Sequence, residues 1–280
     1  MDSSFTATIL QLPELFFILT CLCLGLVSGF LGGLLGIGGG VVIVPGLLAL
    51  FTATARFSDG SATLVALGSS LAIIVFTSIA ATRAQIRAGN VLWPVFRLWV
   101  GWLIAGALCA GYVASWLDPA TLRGLIGLFL VAVGAIMLTQ WQPAPHAVLP
   151  GRLGGAGLAS GSGLVSGLAG IGGGNVIVPL LTYFNVPIHR ATATASAFGI
   201  PVAAAGAIGY SLQGVWSGVL LGKIYLPVVA IVAAGAVIAA PIGVRSAQTI
   251  QPARLKRYFG ILLLCVALRM LWSARSLLLS

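Results

Sequence analysis

The sequence predicts an all-α polytopic membrane protein made of two inverted repeats, each a glycine-broken helical hairpin followed by three transmembrane helices. The first observation behind this prediction is composition: of 280 residues, 59% are hydrophobic and 6% are charged, whereas a soluble domain carries about 25% charged residues. The second is that apolar runs of about 18 residues or more recur along the chain, which indicates several membrane-spanning helices. The third is a glycine-rich string that occurs twice.

The repeated string occupies residues 31–45 and 165–179, and 11 of these 15 aligned positions are identical. A glycine inside a helix costs roughly 1 kcal/mol relative to alanine. Two copies of such a costly string therefore indicate a shared structural task. Further matches at a shift of 133 residues continue toward the C-terminus. The chain is therefore predicted to be an internal duplication, with an N-terminal membrane repeat at 1–145 and a C-terminal one at 146–280.

Apolar length and helix breakers divide the chain into ten predicted helices. Their ranges are 12–36, 41–55, 62–82, 93–116, 120–140, 153–170, 175–186, 191–211, 218–244 and 255–274. Residues 141–152 hold three prolines and a glycine and are predicted to be a linker. The helical legs beside the second glycine string are only about 18–27 Å long, which is marginal for a hydrocarbon core of about 30 Å. Each glycine-broken pair is therefore expected to be a tilted or re-entrant hairpin with its tip inside the protein.

The basic residues favour inverted over parallel repeats. The segments 83–97 and 245–257 hold seven basic residues together, and the matched segments of the opposite repeat hold two, Lys223 and Arg123. Parallel repeats would instead divide the same residues four against five, which is no bias. Because cytoplasmic loops of membrane proteins carry an excess of Lys and Arg, the inverted arrangement is predicted. It places the N-terminus in the periplasm and the linker in the cytoplasm.

The two glycine strings are the candidate substrate site. The N-terminal ends of half-helices present free N–H groups and a positive dipole end, which favour an anion, and inverted repeats can aim two such ends at one place. Close helix packing is the alternative role for the glycines. Hydroxyl groups in nearby helices add donors, unless they bond to their own helix. The predicted substrate-binding residues are Gly38, Gly39, Gly40, Gly172, Gly173, Gly174, Asn175, Thr63, Ser69, Ser70, Thr194 and Ser196.

Other classes of function are disfavoured by what the chain lacks. Its four acids, Asp2, Glu14, Asp59 and Asp118, all lie away from the middle of the predicted spans. No proton relay or nucleophile–base pair is therefore expected in the membrane, and the chain is not predicted to be an enzyme. The cysteines and histidines form no metal-ligand pattern, so neither a metal nor a cofactor is expected. Basic residues placed singly between apolar segments indicate topology rather than nucleic-acid binding.

The glycine strings at 36–40 and 170–174, the small-residue run at 239–243 and the start of the last helix at 255–259 resemble the sulfite exporter TauE/SafE family. This resemblance implies a multi-pass permease of the bacterial inner membrane that exports a small sulfur-containing anion, such as sulfite or an organosulfonate. Its expected partners are that small anion and the lipid bilayer, with the oligomeric state left open. The alternatives are an uptake permease for thiosulfate or another small anion, and a non-transporting membrane scaffold.

Overall fold

The computed structural model describes residues 3–35, 38–87, 89–139, 150–151, 154–246 and 252–279. Ten helices occupy this part of the chain. They are α1 (Ser3–Leu35), α2 (Gly40–Ala53), α3 (Asp59–Arg87), α4 (Trp93–Trp116), α5 (Pro119–Thr139), α6 (Ala156–Ala169), α7 (Gly174–Tyr183), α8 (Ile188–Ser211), α9 (Leu226–Ser246) and α10 (Pro252–Leu279). Of the predicted linker at 141–152, only Pro150 and Gly151 lie within the described residues.

The prediction of a helix over 218–244 was wrong at its beginning, because α9 begins at Leu226. The segment before it contains a small antiparallel hairpin of β1 (Leu220–Leu221) and β2 (Ile224–Tyr225). The turn residue Gly222 has a φ of +62°, a left-handed conformation that an α-helix does not contain. The fold is therefore helical with one short hairpin between α8 and α9.

Six helices of the described chain are long and apolar enough to cross a membrane. They are 14–34, 60–87, 93–116, 119–139, 188–211 and 226–246. The chain is therefore a multi-pass membrane protein. By contrast, α7 has 10 residues, or about 15 Å of helix, which is half of a hydrocarbon core of about 30 Å.

The first helix of each sequence half packs on the fourth helix of the other half. On α1, a β-carbon added at Gly29 or Gly33 would collide with the backbone of Ala236 or Ala240 on α9. Moving four residues toward the C-terminus of α1, from Gly29 to Gly33, moves the contact four residues toward the C-terminus of α9. The two helices therefore run parallel. Small residues four apart allow this close backbone approach between membrane helices.

The equivalent seam joins α6 to α4. Here a β-carbon on Gly163 would collide with the carbonyl of Leu103. Gly163 corresponds to Gly29 at a shift of 134, and Leu103 corresponds to Ala236 at a shift of 133. The same contact is thus made twice, each time between the two halves.

The third helices of the two halves, α3 and α8, pack against each other in opposite directions. The Oγ1 atom of Thr82 donates a hydrogen bond to the carbonyl of Ser196 at 2.9 Å, whereas Leu71 contacts Gly206. Residue numbers rise along α3 as they fall along α8.

The fifth helices, α5 and α10, are also antiparallel. Gly127 faces Leu271 and Gly134 faces Leu264. Arg123, which the charge count treated as a loop residue, lies in the second turn of α5 and is only 2% exposed. It is therefore part of the packed interior.

Candidate anion site at the glycine tips

Both glycine strings adopt the same backbone conformation in the part of them that the structure describes. The residue before α2 is Gly39, with a φ of +74°, and the residue before α7 is Gly173, with a φ of +93°. The left-handed region costs residues with a side chain roughly 1–2 kcal/mol. This requirement explains why the costly string is repeated. We call residues 38–40 the first glycine tip and residues 170–174 the second glycine tip.

The two tips lie against each other inside the protein. A β-carbon on Gly40 would be 2.7 Å from the Cα atom of Ile171 and 2.8 Å from the carbonyl oxygen of Gly170. The first N–H groups of a helix have no acceptor within that helix, and its dipole is positive at that end. The N-terminal ends of α2 and α7 therefore meet at one buried place that favours negative charge.

Helix α3 holds both tips with hydroxyl groups from one face. Ser70 donates to the carbonyl of Gly170 at 2.8 Å, and Thr77 donates to the carbonyl of Gly38 at 3.2 Å. Seven residues are about two helical turns, so these side chains lie on the same side of α3. These two hydrogen bonds fix one carbonyl of each tip against α3.

Two buried polar groups at the tips lack a hydrogen-bond partner. They are the Oγ atom of Ser78, which is 3.6 Å from where a β-carbon on Gly38 would lie, and the Nδ2 atom of Asn175, in the first turn of α7. Ser78 is 1% exposed and Asn175 is 8% exposed. An unmade hydrogen bond at a buried group costs about 1–3 kcal/mol. The face of α3 beside the first tip and the first turn of α7 thus each hold one unused polar group.

The predicted site residues separate into two groups. The six glycines, Asn175 and Ser70 are brought together at the tips. The other four hydroxyls are engaged with protein groups along α3 and α8. Thr63 accepts from the Nε atom of Arg123 at 2.9 Å, Ser69 from the N–H of Tyr225 at 2.9 Å and Thr194 from the N–H of Leu92 at 3.0 Å, while Ser196 donates to the carbonyl of Thr192 at 3.0 Å.

Sequence reasoning missed Ser78 and Thr77, and it also missed Gly199. A β-carbon on Gly199 of α8 would lie 2.5 Å from the Ser78 Oγ and 3.5 Å from the carbonyl oxygen of Gly172. The available signal was spacing: Ser70, Ile74 and Ser78 recur every four residues, which places them on one face of a helix. Only the packing of α3 on α8 shows that this face meets the tips.

Comparisons with known proteins assign the chain to a family. The family described as sulfite exporter TauE/SafE matches residues 21–270. The chain belongs to the TauE/SafE family. The resemblance seen in the glycine strings is thereby confirmed, and the chain is a membrane transporter.

Two relatives match most of the chain in sequence. A probable membrane transporter protein of Haemophilus influenzae is 30% identical, with 91% of this chain and 98% of the relative covered. A probable membrane transporter protein of Methanocaldococcus jannaschii is 28% identical, with 88% and 92% covered. No solved structure is significantly similar to the chain. The names of these relatives describe transporters and name no substrate.

Proposed function

We propose that the chain is a permease of the bacterial inner membrane that exports a small sulfur-containing anion, sulfite or an organosulfonate, through a site between the two glycine tips. The observation that carries this proposal is the meeting of the two glycine tips, with the unpaired Ser78 Oγ beside the first tip and the unpaired Asn175 Nδ2 in the first turn of α7. The family supplies the substrate class.

The chemistry of this place suits a tetrahedral or pyramidal oxyanion. A serine hydroxyl donates one hydrogen bond, an amide nitrogen donates two, and the free N–H groups of the helix ends add others. Hydrogen bonds to an ionised acceptor contribute about 1.5–3 kcal/mol each. Because the donors are neutral, they hold the anion less tightly than a bidentate arginine does, which favours release on the far side.

Export requires a binding site that opens alternately to the two sides of the membrane, and inverted repeats provide one. We propose that 1–145 and 146–280 are such repeats. Supporting this, the matched third helices α3 and α8 are antiparallel, as are the matched fifth helices α5 and α10. Each half also contributes one glycine tip to the shared place.

The proposed orientation puts the loop before α8 in the cytoplasm and the hairpin before α9 in the periplasm. Two exposed residues test it: Asn185 lies in the first of these segments and Ser217 in the second. In a variant whose four native cysteines are alanine, we expect Ser217→Cys to react with an impermeant maleimide applied outside intact cells. Asn185→Cys should react only after the cells are opened. The reverse pattern, or outside labelling of both, would contradict the inverted arrangement with a periplasmic N-terminus.

The site itself is tested by a pair of matched serine variants. Ser211 corresponds to Ser78 at a shift of 133, but its hydroxyl donates to the carbonyl of Ile208 at 2.8 Å within its own helix. We expect Ser78→Ala to raise the half-saturating sulfite concentration for flux from liposomes by about 10-fold or more, because one hydrogen bond to the anion is lost. Ser211→Ala should leave it within about 2-fold of the unmodified protein.

The outcomes separate the proposal from its alternatives. Equal effects of Ser78→Ala and Ser211→Ala would place the anion elsewhere. Saturable thiosulfate flux without sulfite flux would favour the uptake permease, and no saturable flux of any of these anions would favour a scaffold. Ser78→Ala removes only an unpaired hydroxyl, so its folding should match that of the unmodified protein by size-exclusion chromatography.

A further inference from the structure

A cavity of about 510 Å³ lies between α2, α5 and α10 and reaches the first turn of α2 at Val41. Volumes of roughly 300–1,000 Å³ are usual for sites that bind small molecules. Its walls are mainly apolar and include Val42 and Ala49 of α2 and Leu262 and Val266 of α10. Such walls suit a hydrocarbon chain rather than a small hydrated ion alone.

Two guanidinium groups line the same cavity. Arg123 is 2% exposed, and its position is fixed by hydrogen bonds from Nε to Thr63 at 2.9 Å and from Nη1 to Ser273 at 3.0 Å. Arg269 lies one helical turn before Ser273 and is exposed. It forms no hydrogen bond or ion pair with the residues that the structure describes. Arg123 is thus held in place by hydrogen bonds, and the guanidinium group of Arg269 remains available to a ligand.

The depth of Arg269 makes its place in the cavity wall significant. Leu271 faces Gly127 and Leu264 faces Gly134, so Arg269 is level with residue 129, the midpoint of the membrane-spanning helix α5. A charged side chain at the middle of a span is costly, and in membrane proteins it almost always faces a wet cavity or an opposite charge. An anion bound in this cavity would reduce that cost.

We propose that this cavity is a second binding site, for an amphiphilic anion whose oxyanion head group lies between Arg123 and Arg269 and whose hydrocarbon tail lies along α2 and α10. Guanidinium groups bind sulfonate or phosphate oxygens through paired hydrogen bonds. The head group belongs either to a membrane lipid or to a free alkyl anion. The site does not depend on transport through the tips.

The test measures binding to the purified full-length chain. The probes are decane sulfonate, decanol and inorganic sulfate. Their binding is measured by titration calorimetry in a neutral detergent. We expect saturable binding of decane sulfonate, weaker by about tenfold or more in Arg269→Gln. Arg275→Gln is the matched control, because Arg275 is also an exposed residue of α10 but does not line the cavity. It should bind like the unmodified chain, and decanol and sulfate should bind far more weakly than decane sulfonate.

A second measurement identifies the source of the head group. If it is a lipid, native mass spectrometry of the chain from phosphatidylglycerol nanodiscs should show retained lipid that Arg269→Gln loses. If it is a free anion, no lipid is retained while decane sulfonate still binds. The proposal is overturned if the unmodified chain binds decane sulfonate no better than decanol, or if the glutamine variants at 269 and 275 weaken binding equally. Sulfite flux in the serine variants is measured independently, so either result can fail alone.

Discussion

Leucine in place of Gly39 or Gly173 is expected to abolish anion flux while the protein still inserts in the membrane. Both glycines have left-handed backbone conformations, with φ of +74° and +93°. A β-carbon at Gly39 would lie 2.5 Å from the carbonyl oxygen of Ser28, and one at Gly173 would lie 2.9 Å from the side chain of Ile177. The added side chain must therefore reorient the first turn of α2 or α7, and with it the N–H groups proposed to hold the anion.

Flux of radiolabelled sulfite from liposomes measures this effect, and Gly161→Leu is the control. Gly161 lies in α6, near the second tip in sequence, and a β-carbon there meets no atom within 4 Å. The control should transport at the unmodified rate. Normal transport by both tip variants, with normal insertion, would show that the tips do not form the site.

Leucine in place of Gly29 is expected to cause a large loss of stability. A β-carbon at this position would overlap the backbone of Ala236 on α9, so the two helices must separate along their seam. Overpacking of this kind costs about 3 kcal/mol. For a chain of this size, that corresponds to a fall of about 6–12 °C in the midpoint of thermal unfolding.

The effect on stability is measured by thermal unfolding in detergent, with the folded fraction monitored by size-exclusion chromatography. Gly161→Leu is again the control, and its midpoint should stay within about 2 °C of the unmodified value. Gly163→Leu should repeat the loss, because its β-carbon would overlap the carbonyl of Leu103 on α4. A stable Gly29→Leu protein would mean that α1 and α9 do not pack through this glycine.

Local sequence signals predicted the helices and the position of the tips. The range 93–116 agrees with α4 at both ends, because Pro94 lies in the first turn of that helix and the apolar run ends where the next loop starts. Repetition of the glycine string predicted a shared structural task, and the structure shows left-handed conformations at both Gly39 and Gly173, which glycine adopts without strain. The hairpin at 220–225 was missed because its apolar residues continue the composition of α9.

The packing of helices that are distant in the chain could not be predicted from the sequence. Helix α1 of one half packs on α9 of the other half, and α6 packs on α4 in the same way. Both contacts depend on small residues that are far apart in the chain but lie opposite each other along the two helices. The roles of Thr63 and Ser69 also required the structure, because Arg123 and the N–H of Tyr225 use their hydroxyls. Ser78 was recognised as a candidate only in the structure, where its hydroxyl lies beside the tips and lacks a hydrogen-bond partner.

The position of a bound anion tests the central claim most directly. A density map of the full-length protein in saturating sulfite should show a pyramidal anion within hydrogen-bonding distance of Ser78 Oγ and Asn175 Nδ2, between the N-terminal ends of α2 and α7. Sulfite bound saturably but only away from the tips, for example between Arg123 and Arg269, would contradict it.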